Sequence, residues 1–319
     1  MKLGNAIEKI KIVHNLKAMK HESTKMLWRI NIMIGNFPEI KTIKLKLNDI
    51  NVNCYTAGES GSPVILLHGA GGDSANISWS EVLGPLSKNH RVFAPDLPGY
   101  GESDKPNVEY SLSFYIDILN QIIDRLHLEK ANLVGLSLGG GISLGYTLEY
   151  PARVEKLVLV GAWGLFSKLP YHLLTYWYTQ SFLNELSYKW SSKSRRFVKW
   201  TLLNSLFGNP NNVSEELVDE IYGFLQAPHA GKAFMSFQRS EITRTGLRTK
   251  LAENLSEIKK RTLIVHGSKD TSVPIKHAFE AHEAMKASEL YVMEGCKHWP
   301  QKERPEEFTR VITTFLGKE

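Results

Sequence analysis

Gly135-Leu136-Ser137-Leu138-Gly139 follows the short apolar run Ala131-Asn132-Leu133-Val134 and precedes a helical pattern over 139–149. A serine in that setting sits on a sharp strand-to-helix turn, with glycines two residues to either side because a side chain there would strike the facing backbone. The helix that follows points its N-terminus at the serine, so its backbone N–H groups favour negative charge nearby. Gly-x-Ser-x-Gly is uninformative as a bare string. In a strand–turn–helix context it reads as the seat of a nucleophile.

The flanking sequence supplies that context. Pro63-Val64-Ile65-Leu66-Leu67 ends at His68-Gly69, Arg91-Val92-Phe93-Ala94 at Pro95-Asp96, Leu157-Val158-Leu159-Val160 at Gly161, and Thr262-Leu263-Ile264-Val265 at His266-Gly267. Continuous apolar runs of this length suit strands buried on both faces. Ile43-Lys44-Leu45-Lys46-Leu47 instead alternates at period two, with 51–55 as its hairpin partner, and 289–293 is the last strand. Helical patterns such as 113–126 lie between them. This alternation predicts an α/β fold: a mostly parallel eight-stranded sheet flanked by helices, built from residues 41–163 and 259–319.

The alternation breaks over 164–258, which reads as several helices inserted after the sixth strand. Residues 165–250 hold 15 of the chain's 32 aromatic residues, including Tyr176-Trp177-Tyr178, Trp190 and Trp200. Two uses are open for those rings: the insertion's own core, and the inner face of a cap over an apolar pocket. We expect both.

Composition bounds the remaining possibilities. The 319 residues are 42% hydrophobic and 23% charged, as in a globular chain with a sizeable core. The two cysteines, Cys54 and Cys296, cannot make a disulfide framework or a four-cysteine zinc site, and the chain reads as cytoplasmic. The net charge of +6 is local: residues 1–46 carry ten Lys/Arg against three Glu, leaving −1 for everything after Lys46. A nucleic-acid partner is therefore not expected. Within residues 1–40, Ile7, Ile10, Val13 and Leu16 recur among lysines, the pattern of a basic amphipathic helix. Such an extension could pack on the main domain, lie on a membrane surface, or be weakly ordered. It lacks the apolar core and cleavage site of a signal peptide. The oligomeric state is not legible.

A serine hydroxyl needs a base, and the base needs an orienting group. Among eleven histidines, His298 lies just past the last strand, where the sheet's C-terminal edge should set it above Ser137. His68 and His266 also end strands, but each precedes glycine and reads as a turn residue. Asp270 follows the Thr262–Val265 run, and no carboxylate follows the preceding strand at Gly161-Ala162-Trp163. The chain order Ser137, Asp270, His298 suits this architecture. Acyl transfer also needs donors to an oxyanion. The N–H of Leu138 is one candidate, and His68-Gly69-Ala70-Gly71-Gly72 offers the other at Ala70, with Gly71 as second choice. Nucleotide-binding glycine motifs are missing, and His21-Glu22 and His282-Glu283 lack the second histidine of H-E-x-x-H. No metal or cofactor is implied.

Taken with Asp96-Leu97-Pro98-Gly99-Tyr100-Gly101-Glu102-Ser103-Asp104, Val273-Pro274 and His298-Trp299-Pro300-Gln301, these motifs resemble the α/β-hydrolase fold superfamily, from about Lys41 to the end of the chain. The resemblance implies Ser137 as nucleophile, His298 as base, Asp270 as its orienter, and Ala70 with Leu138 as oxyanion donors. Families with a similar cap include carboxylesterases and meta-cleavage product hydrolases, which split carbon–carbon bonds. Epoxide hydrolases and haloalkane dehalogenases place aspartate where this chain has Ser137. The C-terminal His298-Trp299 and Gln301, with Asn76 and Trp79 after the glycine loop, are similar to the meta-cleavage hydrolases, which suggests Trp299 and Asn76 as substrate contacts. Against that, Leu136 stands where that family usually has asparagine, and the glycine loop lacks its proline. A cap arginine of that family would correspond to Arg195, Arg196 or Arg239. The expectation is a serine hydrolase for a small, largely apolar ester, thioester or lactone. Carbon–carbon bond hydrolysis and a slow-turnover ligand receptor are the alternatives.

Overall fold

The computed structural model describes residues 37–318. The basic amphipathic pattern of residues 1–36 lies outside the described residues. Eight strands form one sheet: β1 (Lys41–Leu47), β2 (Ile50–Ala57), β3 (Pro63–Leu67), β4 (Arg91–Pro95), β5 (Ala131–Leu136), β6 (Val154–Val160), β7 (Thr262–Gly267) and β8 (Ser288–Met293). Their order is β1-β2-β4-β3-β5-β6-β7-β8. The β1–β2 and β2–β4 pairs are antiparallel and the rest are parallel.

The apolar runs are continuous because both faces of the sheet are covered. Ile65, Leu67, Leu133, Leu157, Leu159 and Ile264 face one layer, built from α2 (Leu112–Arg125), α3 (Leu138–Glu149) and α9 (Lys276–Ala284). Val64, Leu66, Val134, Val158, Val160 and Val265 face the other, built from α1 (Ala75–Leu86) and α11 (Pro305–Gly317). Alternate residues of each strand thus enter alternate layers, as the two-residue period of a strand requires.

Between β6 and β7 the chain leaves the sheet and forms α4 (His172–Gln180), α5 (Phe182–Ser192), α6 (Arg195–Thr201), α7 (Glu215–Leu225) and α8 (Lys232–Glu241). A π-helical turn, Leu202–Leu206, follows α6 directly. After β8 a single turn, α10 (Pro300–Glu303), leads into α11. Glu303, buried, ties this C-terminal segment to the insertion. Its carboxylate accepts the backbone N–H groups of Gly208 (2.9 Å), Asn209 (2.7 Å) and Lys297 (3.3 Å).

The strand order decides where a site can form. From β3 the chain crosses to β4 on one side, then returns to β5 on the other, so the loops after β3 and β5 diverge over a crevice at the strands' C-terminal ends. The register Leu67↔Gly135 sets His68 beside the Ser137 turn.

Candidate active site

Ser137 has φ 49° and ψ −112°, a sparsely populated conformation for a residue with a side chain. Backbone bonds on both sides hold it. Its N–H donates to the Val160 carbonyl (2.9 Å), and its carbonyl accepts the N–H of Trp163 (2.8 Å) and of Gly141 (3.0 Å). A Cβ at Gly135 would lie 2.2 Å from the Gly139 carbonyl oxygen, and one at Gly139 2.2 Å from that of Leu67. The flanking glycines are therefore compelled by backbone approach. This strand–turn–helix hairpin is so tight that neither position has space for a methyl group.

Asp270 and His298 arrive from β7 and β8. Nδ1 of His298 lies 2.7 Å from Oδ2 of Asp270, while the N–H groups of Ser272 (2.8 Å) and Val273 (2.9 Å) donate to Oδ1. Burial of the Asp270 carboxyl pushes its pKa up, but the facing His298 and His266, with the backbone donors, outweigh this and leave it below the ordinary carboxylate range. It is therefore ionised at neutral pH, and Nδ1 of His298 carries the proton it shares with that carboxylate. Nε2 is left to act on the other side. Both Ser137 and His298 line the same cavity. Among the described residues the Ser137 hydroxyl takes no hydrogen-bond partner, so contact with His298 is not closed in this state. Such bonds often tighten only around a substrate.

The glycine loop lies against the serine: a Cβ on Gly69 would sit 3.5 Å from Cβ of Ser137. Ala70, Gly71 and Leu138 line the cavity beside it. The N–H groups of Ala70 and Leu138 make no hydrogen bond to the protein among the described residues. They are open donors next to the nucleophile position, as an oxyanion site requires.

Four supports of this geometry were not assigned such a role from the sequence. Asp73 is fully buried, and its carboxylate accepts from the N–H groups of Gly69 (2.8 Å) and Ser74 (2.8 Å) and from the Ser78 hydroxyl. Burial raises its pKa, against the lowering effect of His68 and these donors. His68 is a clamp as well as a turn residue. Its Nε2 accepts the Leu97 N–H (2.9 Å) and its Nδ1 donates to the Gly69 carbonyl (2.7 Å). His266 donates from Nε2 to the Val273 carbonyl (2.8 Å), closing the loop that carries Asp270. Gly161, at the end of β6, has φ +48°, and a Cβ there would fall 3.1 Å from both the Asp270 and His298 polar atoms. An acidic residue on a buried glycine loop was the available signal for Asp73. The other contacts join residues distant in sequence.

Of the two expected substrate contacts, one needs correction. Trp299 does line the cavity. Asn76 does not: its side chain donates to Glu220 on α7 (2.8 Å) and so pins the cap to the sheet domain. The candidate cap arginines also turn away. Arg195 pairs with Glu215 and Asp219, Arg239 with Glu185, and Arg196 is exposed. Cys296 is buried, and desolvation pushes its thiol up to about 12, so it offers no reactive thiolate beside the base.

The cavity measures about 540 Å³, within the range that encloses a small-molecule substrate. Its walls are Trp163, Leu202, Ile221, Leu225, Phe234 and Phe237, among others, and no Lys, Arg, Asp or Glu lines it. Four cap hydroxyls on the wall are spent locally: those of Thr175, Ser191, Ser192 and Thr201 donate to the carbonyls of Pro170, Tyr188, Lys189 and Phe197. The Tyr188 hydroxyl and the Trp163 Nε1–H, also on residues of the wall, are buried and take no hydrogen-bond partner among the described residues, so the wall is uncharged and largely apolar with a few open polar groups.

Comparison with known proteins agrees with this architecture. A family model described as the alpha/beta hydrolase fold matches residues 62–305. The chain belongs to the α/β-hydrolase fold family. It is 30% identical over 293 residues to a 2-hydroxy-6-oxo-2,4-heptadienoate hydrolase of Pseudomonas putida, covering 91% of this chain and 99% of that one. A solved meta-cleavage product hydrolase from Pseudomonas fluorescens IP01 is 32% identical, with a TM-score of 0.71 over 86% of this chain and 96% of its own. A putative lipase from Acinetobacter baumannii shares the fold alone, at 24% identity and a TM-score of 0.76 over 90% and 94% of the two chains. This α/β-hydrolase is thus similar to hydrolases of meta-cleavage products. No helix among its described residues is long and apolar enough to cross a membrane.

Proposed function

We propose that this α/β-hydrolase is a serine hydrolase that cleaves a neutral, largely apolar carboxylic ester, thioester or lactone through an acyl-enzyme. His298 takes the Ser137 proton at Nε2 as the hydroxyl oxygen attacks the acyl carbon. The oxyanion forms toward the N–H groups of Ala70 and Leu138, and His298 returns the proton to the leaving group. Water then attacks the acyl-enzyme with His298 again as base, and Asp270 keeps the imidazole oriented throughout. The observation that carries the choice of substrate is the uncharged cavity wall. A buried carboxylate without a cationic partner is disfavoured, and an apolar acyl chain meets no such penalty.

Carbon–carbon bond hydrolysis is the second reading, favoured by the names of the relatives above. A dienoate substrate brings a carboxylate, and the arginines that could have received it are paired elsewhere or face solvent. The test is a direct competition of substrates. Against p-nitrophenyl esters of graded acyl length and against a dienoate ring-cleavage product, kcat/KM is expected to be higher for the esters and to rise with acyl length. A dienoate preferred by tenfold or more would overturn this reading. Ser137→Ala should lower kcat by about ten-thousand-fold or more, and it should abolish labelling by a fluorophosphonate.

A further inference from the structure

The outer cap helices are amphipathic the wrong way round for a protein surrounded by water. On α5 the residue that is fully buried is Asn184, which donates to Gln238 (3.1 Å), whereas Phe182, Leu186 and Trp190 recur at four-residue spacing on the exposed face. On α4 the buried residue is Thr179, and Leu173, Leu174 and Trp177 face outward. Tyr171 is 86% exposed, Trp190 77% and Phe182 71%. Trp200, exposed on α6, stacks on Phe197. Scattered exposed apolar residues are ordinary, but three consecutive helices that turn their rings outward mark an interaction surface.

The chemistry of the surface selects its partner. Residues 168–200 carry six Lys/Arg and one acid, Glu185, in a chain whose body after Lys46 is close to neutral. Lys168, Lys189, Lys193 and Arg196 make no ion pair among the described residues. Tryptophan and tyrosine interleaved with unpaired cations match the interfacial zone of a bilayer, where rings seat at headgroup depth and cations meet anionic lipid. The same helices supply Thr175, Tyr188, Ser191 and Phe197 to the cavity wall, so the outward face adjoins the apolar chamber over Ser137.

We propose that the outer face of α4–α6 docks this hydrolase on the surface of an anionic lipid bilayer, so that apolar substrate passes from lipid into the cavity. The docking step is independent of which bond is cleaved. Full-length protein should co-sediment with phosphatidylcholine vesicles containing phosphatidylglycerol, and more weakly with phosphatidylcholine alone. Trp177→Ala/Trp190→Ala/Trp200→Ala should weaken partitioning at least about tenfold on both compositions while leaving hydrolysis of a short soluble ester unchanged. Lys189→Glu/Lys193→Glu/Arg196→Glu should weaken it on anionic vesicles alone. Ser137→Ala should bind as the wild type does, which separates docking from catalysis. Vesicle binding that survives both triple substitutions would overturn the proposal, by placing any anchor elsewhere in the chain. A wild type that fails to bind vesicles but forms dimers lost in the tryptophan variant would overturn it in favour of a second copy.

Discussion

At the scale of single residues, Asp270 carries the sharpest consequence. Asp270→Asn should lower kcat by about ten-thousand-fold, because the amide can no longer hold His298 with its proton on Nδ1. The same residue sets a pH effect on stability. A carboxyl whose folded pKa is depressed stabilises the fold above its unfolded value and loses that contribution as pH falls through the folded value. Urea midpoints of wild type and Asp270→Asn should therefore differ most near neutrality and converge in acid. Asp73 works through Gly69, as a positioning residue. Asp73→Asn replaces one acceptor oxygen with an NH2 group opposite existing donors, and we expect kcat to fall about tenfold with KM little changed. Rescue by Asp73→Glu would point to a need for charge alone; failure of rescue fits a need for the exact bonding of Gly69.

Elements explain why some of these residues were legible and others were not. The buried strands were visible as apolar runs ending in glycine or histidine, and Ser137, Asp270 and His298 were visible because each follows such a run. The tightness of the serine turn also followed from its glycines. Gly139→Ala should cost about 3–5 kcal/mol or prevent folding, since a methyl group there meets the Leu67 carbonyl; denaturant titration measures it. Links between elements were not legible. Glu303 reads in sequence as one more surface glutamate in a Lys/Glu/Arg stretch, yet it accepts the N–H groups of Gly208 and Asn209 in the distant insertion as well as that of nearby Lys297. Glu303→Ala should cost about 2–4 kcal/mol by leaving those donors without a partner, and should lower kcat through the adjoining Lys297-His298. Asn76 was misread for the same reason. Its position after the glycine loop suggested a substrate contact, but its amide donates to Glu220 on the cap.

For the molecule as a whole, an aromatic-rich insertion announced itself in composition, but its sidedness did not. We expected its rings to be shared between the cap's own core and the pocket. Phe207 and Phe237 are indeed buried, and Tyr188, Phe197 and Phe234 line the cavity, but Tyr171, Trp177, Phe182, Trp190 and Trp200 face outward. Helical periodicity shows that a helix has an apolar face; it does not show whether protein, lipid or another chain covers that face. By itself the sequence determined the layered α/β sheet, the serine turn, and the placement of Ser137, Asp270 and His298 beyond the ends of strands, because local backbone sterics and strand periodicity are written in neighbouring residues. Only the tertiary structure decided that the cavity is uncharged, that Arg195 and Arg239 pair with cap carboxylates, and that α4–α6 turn their rings away from the core. Those outcomes depend on which distant side chains meet, and a linear pattern holds no distances between residues far apart along it.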